Sequence, residues 1–196
     1  PTYIHMTMAF MGGLWGAYSV VQWTNLGNAH TTNLIKIVLR LIDGDWLEFA
    51  LCVGSAFLYF LAFALSAYWS KHSKSDLRYA VIIVEAVSLA AVYFFPQNWP
   101  VYTRLYPCVF ATAFQWSIFC GAQGFNCATI FNSNNYRQFS SSFAEVYLNK
   151  DPSFRPKMKF FGCTLLFYHF GVVYVYLILQ AFRQSGLVCC LWWWRR

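Results

Sequence analysis

The sequence predicts an all-α polytopic membrane bundle. It has five to six spanning helices in two inverted three-helix repeats, with amphipathic or re-entrant segments between them. Three observations carry that expectation. First, of 196 residues, 59% are hydrophobic, 21% aromatic and only 11% charged, and the mean hydropathy is +0.43. A soluble domain carries about 25% charged and about 45–50% apolar residues, so the soluble-enzyme, disordered and nucleic-acid-binding classes fit poorly. Second, the apolar residues gather into runs close to the roughly 20 residues a spanning helix needs. Third, the order of runs and polar links recurs in the two halves. The length favours a single membrane domain, 1–196, with repeat 1 at about 6–95 and repeat 2 at about 101–190.

The first expected span is Met6 to Thr24. The second, Trp46 to Trp69, has one acid, Glu48, near its start. Tyr79 to Phe95 is the third and contains Glu85. Val101 to Ile130 is a long fourth run, broken by Pro107 and by Gly121 and Gly124, two glycines that permit close helix approach or a local break. Met158 to Phe182 is the fifth. A sixth begins at Gly186, but Leu187–Trp194 is too short to span, so the last helix is expected to be truncated or absent, or its tryptophans interfacial. No cleavable signal peptide is expected, because the first run lacks a basic leader and is long enough to span. Thr31 to Ile42 places Leu34, Ile35, Val38, Leu39 and Ile42 at helical spacing with Lys36 and Arg40 opposite. Asn135 to Asn149 is a more polar counterpart. Each stretch reads as an interfacial helix or as part of a re-entrant loop.

The net charge of +7 follows membrane topology. With the N-terminus inside, the inner segments hold Lys71, Lys74, Arg78, Arg137, Lys150, Arg155, Lys157, Lys159, Arg195 and Arg196. The outer segments hold Lys36, Arg40, Arg104 and Arg183. The bias predicts an N-in chain in a bacterial cytoplasmic membrane. Trp46, Trp69, Trp99 and Tyr102 sit near run ends, where interfacial belts form. The seven cysteines are irregularly spaced and form no CxxC pair, so neither a disulfide framework nor a zinc site is expected. Cys120 and Cys127, seven apart, are read as sharing a helix face. No nucleotide-binding, hydrolase or metalloprotease motif occurs. The chain is expected not to be an enzyme, and no cofactor is expected.

The two halves match in pattern more than in residues. Each begins with a spanning run, a polar link and an amphipathic stretch, followed by another spanning run. Gly16-Ala17-Tyr18 echoes Gly121-Ala122-Gln123, and Asn28 to Asn33 sits where Asn132 to Ser142 sits. Three spans per repeat invert the second half, and inverted repeats with broken polar segments place substrate sites at the repeat interface of secondary transporters.

Over about Met6 to Phe182 the chain resembles the YoaK-like family of bacterial multi-pass membrane proteins, a family of usually six spans and largely without assigned function. Its first half carries a Gly-x-x-Asp-Ala-Tyr segment and Gln-Thr-Gly-Asn. Here these read Gly13-Leu14-Trp15-Gly16-Ala17-Tyr18 and His30-Thr31-Thr32-Asn33. Its second half carries Gly-x-Gln-Asn, then an Arg-Thr-Thr segment and Thr-Gly. Here these read Gly121-Ala122-Gln123-Gly124 and Arg137-Gln138-Phe139, with Ser142-Phe143 after them. Gly16 replaces the Asp, so any role of that carboxylate in relatives is closed to this chain.

Polar residues inside spans are costly and mark candidate sites. Glu85 reads as a coupling or cation-binding group, or as an interhelical hydrogen-bond partner. His169 reads as a satisfied buried residue, or as a proton carrier if it meets Glu85. Gln115 and Gln123, eight apart, are expected on one face of a straight helix beside Trp116, lining a cavity or bonding a neighbouring helix. Asn25, Asn28, Asn33, Asn132 and Arg137 belong to two polar turns that are simple caps, or cavity linings if re-entrant. Trp15 and Trp116 are candidate inward aromatics. The expected substrate-binding set is therefore Glu85, Gln115, Gln123, Asn33, Arg137, His169 and Trp116. The expected function is a small-molecule permease or substrate-binding membrane subunit. The alternative is a non-transporting assembly subunit of a larger complex. Expected partners are the lipid bilayer, an unidentified small molecule, and other membrane subunits or a second copy, with no nucleic acid.

Overall fold

Among the described residues seven α-helices account for most of the chain: α1 Thr2–Trp23, α2 His30–Asp43, α3 Trp46–His72, α4 Leu77–Phe94, α5 Val101–Ile118, α6 Ser133–Tyr147 and α7 Arg155–Gln184. They come from a computed structural model, which describes residues 2–23, 30–96 and 98–184. Asn25, Asn28, Cys189, Cys190, the expected sixth segment and the Trp192–Arg196 tail lie outside the described residues. All-α is the observed class. A two-residue hairpin, β1 Gly121–Ala122 with β2 Phe125–Asn126, is the exception among the described residues.

Among the described residues α3, α4 and the stretch Pro152–Ala181, a short 3-10 turn followed by most of α7, are long and apolar enough to cross a membrane. Their outer faces say the same. Phe57 and Phe60 on α3, Ile82 and Val87 on α4, and Leu166 and Leu177 on α7 are all exposed, and water would penalise such faces. These features are consistent with an integral membrane protein. Helices α1 and α5 match two further expected spans in position but do not reach the sustained apolarity of those three. Their packing explains this: α5 lies against α3, α4 and α1, and α1 lies against α7 and α5. A helix walled by other helices can carry His5, Ser19, Thr112 and Gln115 without offering them to lipid.

The fourth apolar run breaks at its glycines and not at Pro107, which lies inside α5. Helix α5 ends at Ile118, and the chain reverses through the hairpin. Gln123 (φ 55°) and Gly124 (φ 80°) fill the two left-handed positions of the turn, the geometry that matches the twist of a two-residue hairpin. Gln115 and Gln123 therefore do not share a helix face. Nor do Cys120 and Cys127, which flank the hairpin and are joined by a backbone bond, Cys127 N–H to Cys120 O, at 2.9 Å.

The two short helices fall where the amphipathic stretches were expected. Helix α2 runs back along the first half of α3. Arg40 meets Glu48 at 2.7 Å near the start of α3, whereas His30 stacks on Tyr59, at the middle of α3, with ring centroids 4.1 Å apart. Helix α6 packs on α7 and is reached through residues 127–132, which pass the middle of α1: a Cβ on Gly12 would collide with the backbone of Thr129 and Ile130. Both short helices thus start at the depth of the middle of a long helix. At 14 and 15 residues neither could span.

Helices α1 and α7 run side by side in the same direction: His5 meets Phe160 and Phe10 meets Tyr174. Their closest approach uses glycine on both sides. A Cβ on Gly13 would strike the Tyr168 carbonyl, and one on Gly171 would strike the Phe10 carbonyl. Without a hydrophobic drive between helices in lipid, such close backbone packing is a main source of association.

Candidate functional site

The interior of the bundle carries more polar chemistry than its outer surface in lipid could tolerate. On α5, Cys108, Ala111 and Gln115 follow at i, i+3 and i+7, so they share one face. That face meets α1. The Gln115 amide donates to the Met8 carbonyl at 2.8 Å and to Thr129 Oγ1 at 3.0 Å. Seven residues on, Trp15 is 2% exposed and clusters with Cys108 and Ala111, with Val84 of α4 packed against them. Glu85 enters beside this seam. It is 4% exposed and lies within electrostatic reach of the Cys108 thiol. Its Oε1, the Trp15 Nε1–H and the Gln115 Oε1 have no hydrogen-bond partner among the described residues. Native interiors leave few polar atoms unsatisfied, so three along one seam mark a candidate site.

A string of rings runs across the bundle on another side of α5. His30 stacks on Tyr59, Tyr59 meets Phe63 at 5.0 Å, Phe63 meets Trp116 at 5.4 Å, and Trp116 meets Phe131 at 4.7 Å. One end of the string is the first residue of α2. The other end is two residues before α6. Neither short helix has an acidic residue in its first turn, and the α6 N-cap Asn132 makes no side-chain capping bond. Polar atoms without a partner among the described residues gather at both ends: His30 Nδ1 and Asn33 Oδ1 at α2, and Asn132 Nδ2 at α6. Asn33 is 2% exposed. Asn135, one turn after Asn132, is satisfied, donating to the Ala128 carbonyl at 2.7 Å, and it ties the start of α6 to the segment that leads into it.

Four of the seven sequence-predicted residues fall in this interior: Glu85, Gln115, Trp116 and Asn33. The other three do not. Gln123 sits in the hairpin turn at the end of the bundle, donating to Thr2 Oγ1 at 2.6 Å. Arg137 is exposed on α6, its guanidinium donating to Asn134 Oδ1 at 3.2 Å. His169 is exposed on α7, its Nδ1 2.7 Å from the Leu165 carbonyl of its own helix, and it does not meet Glu85. Its neighbours in sequence are all apolar or aromatic, which gives no cue to the face it takes. Sequence reasoning missed Tyr59 and Phe63, because aromatic residues in an apolar run signal nothing until the run is placed. It also missed His5, which is 2% exposed and whose ring nitrogens have no partner among the described residues.

A family described as "Protein of unknown function (DUF1275)" matches residues 4–193, so the chain belongs to that family. The YoaK-like resemblance is consistent with it. No curated protein and no solved structure matches the chain.

Proposed function

We propose that this member of the DUF1275 family is a small-molecule permease or substrate-binding membrane subunit, with its site between the starts of α2 and α6. The observation that supports the reading most is the pair of short helices. Each begins at mid-depth beside unpartnered polar atoms, and the two are connected by a row of aromatic rings. Backbone at such depth is tolerated where protein or a water-filled cavity satisfies it. Helix N-termini that begin there present free N–H groups to whatever occupies the cavity. The aromatic faces of Tyr59, Phe63 and Trp116 suit a flat or apolar body. In this reading the halves α1–α4 and α5–α7 are inverted repeats, and α1 and α5 span with α3, α4 and α7. The N-terminus lies on the basic, cytoplasmic side of a bacterial membrane. An assembly subunit would need none of the interior polar groups.

Water access separates the two readings. His30→Cys and Asn132→Cys would be made with the exposed Cys120 and Cys163, and Cys189 and Cys190, replaced by serine. Each variant would be treated in oriented vesicles with a small charged thiol reagent from either side. A permease predicts that both positions react, and that each side's reagent reaches them. No reaction at either position in folded protein contradicts the permease reading and favours an assembly role.

A further inference from the structure

We propose that the outer face of α7 binds one anionic phospholipid, its headgroup phosphate on Arg155 and Lys159 and an acyl chain along the helix below them. The site is separate from the interior one and does not rest on it.

The first observation is a stripe. Arg155, Lys159, Cys163, Leu166, Phe170 and Val173 follow at steps of four, four, three, four and three, so they share one face of the helix. All six are exposed. Two cations therefore head an apolar run that is about 15 Å long from Cys163 to Val173, at 1.5 Å per residue. That is the depth of one leaflet, half of a roughly 30 Å hydrocarbon core.

The second is position. From Phe160 to Phe182 the chain has no Asp, Glu, Lys or Arg, enough helix to cross the whole core. Lys159 and Arg155 then stand just outside the core, at the level of headgroup phosphates.

The third is electrostatic. Arg155, Lys157 and Lys159 fall in the first turn and a half of α7, which has no acid in its first turn. The N-terminal end of a helix already carries about half a positive charge, so cations there are disfavoured. No acid of the chain offsets them: the ion pairs among the described residues join Arg40 to Asp43 and Glu48, and Arg78 to Asp76. The acids nearest in sequence are engaged elsewhere. Glu145 accepts from Asn149 Nδ2 at 2.8 Å, and Asp151 accepts from the Ser153 N–H at 2.9 Å. Two exposed cations held against the helix dipole are complemented by an anion from outside the chain. A soluble anion would meet the cations and leave the stripe bare, whereas a phospholipid covers both.

The full chain in mild detergent is titrated with phosphatidylglycerol or with phosphatidylcholine of the same acyl chains, and binding is read by native mass spectrometry. The wild type is expected to bind phosphatidylglycerol about tenfold or more tightly, as two cations at a headgroup allow. Arg155→Gln/Lys159→Gln removes that preference. It leaves the melting temperature in detergent unchanged or higher, because two cations have left the positive end of a helix. Should the double variant not fold, Lys159→Gln alone is read the same way. Lys71→Gln/Lys74→Gln, off the stripe, keeps most of the preference. Glycerophosphoglycerol, the same headgroup without chains, does not displace the lipid at matched concentration. Equal binding of the two lipids, a preference that survives Arg155→Gln/Lys159→Gln, equal loss in both double variants, or displacement by the chain-free headgroup overturns the proposal.

Discussion

Gly171→Val and Gly13→Val are expected to prevent α1 and α7 from packing and to leave little folded protein. The added Cβ at either position meets a backbone carbonyl, Phe10 O or Tyr168 O. A carbonyl in a helix cannot turn aside as a flexible side chain can. The helices must separate, and the close contact that substitutes for hydrophobic drive in lipid is lost. Overpacking typically costs about 1–3 kcal/mol, and two rigid backbones place these variants at the upper end. The loss should spread along the seam, because Met6 is bonded by Thr164 and His5 meets Phe160 on the same pair of helices. Gly124→Ala is the comparison: nothing lies within 4 Å of its Cβ position, so it bears only the strain of its positive φ. Size-exclusion recovery and thermal melting in mild detergent measure the difference. Equal recovery of Gly171→Val and Gly124→Ala would show that the two backbones are not in contact.

The second large effect runs the other way. Glu85→Met should stabilise the protein by about 1–3 kcal/mol, seen as a higher melting temperature. Glu85 is 4% exposed, and its Oε1 has no hydrogen-bond partner among the described residues. Burying a polar group unpaired costs about 1–3 kcal/mol by mutational measure, and methionine fills similar space without that cost. A stabilising substitution at such a site signals a residue kept for activity at the expense of the fold. If Glu85 instead anchors a neighbouring helix, Glu85→Met lowers the melting temperature, and the carboxyl is structural.

How far the sequence could be read depended on the range of its signals. The long apolar runs of α3, α4 and α7 announce themselves because lipid-facing helices must be apolar for about 20 residues. The short helices α2 and α6 were legible through their amphipathic spacing, which depends only on neighbours three and four apart. The end of α5 was not. Residues 119–130 are nearly as apolar as the helix before them, and two-residue strands are too short to show alternation. Gly121 and Gly124 were the available cue. Glu85, Gln115 and Asn33 could be flagged because a polar group in an apolar run is costly anywhere. Their surroundings could not be: that Gln115 reaches Met8 depends on how α1 and α5 pack. His169 and Glu85 look alike in sequence, a polar residue in an apolar run, yet one faces outward and one inward.

Native mass spectrometry of the full chain, released from mild detergent, tests the site between α2 and α6 most directly. Wild type is compared with the double variant Asn33→Leu/Asn132→Leu, which removes unpartnered amides from both short helices while leaving the glycine seam of α1 and α7 intact. The expected result is a small molecule retained by the wild type and absent from an equally folded variant. A wild type that carries only a protein partner, or a ligand held equally by both forms, would contradict a substrate site between the two short helices.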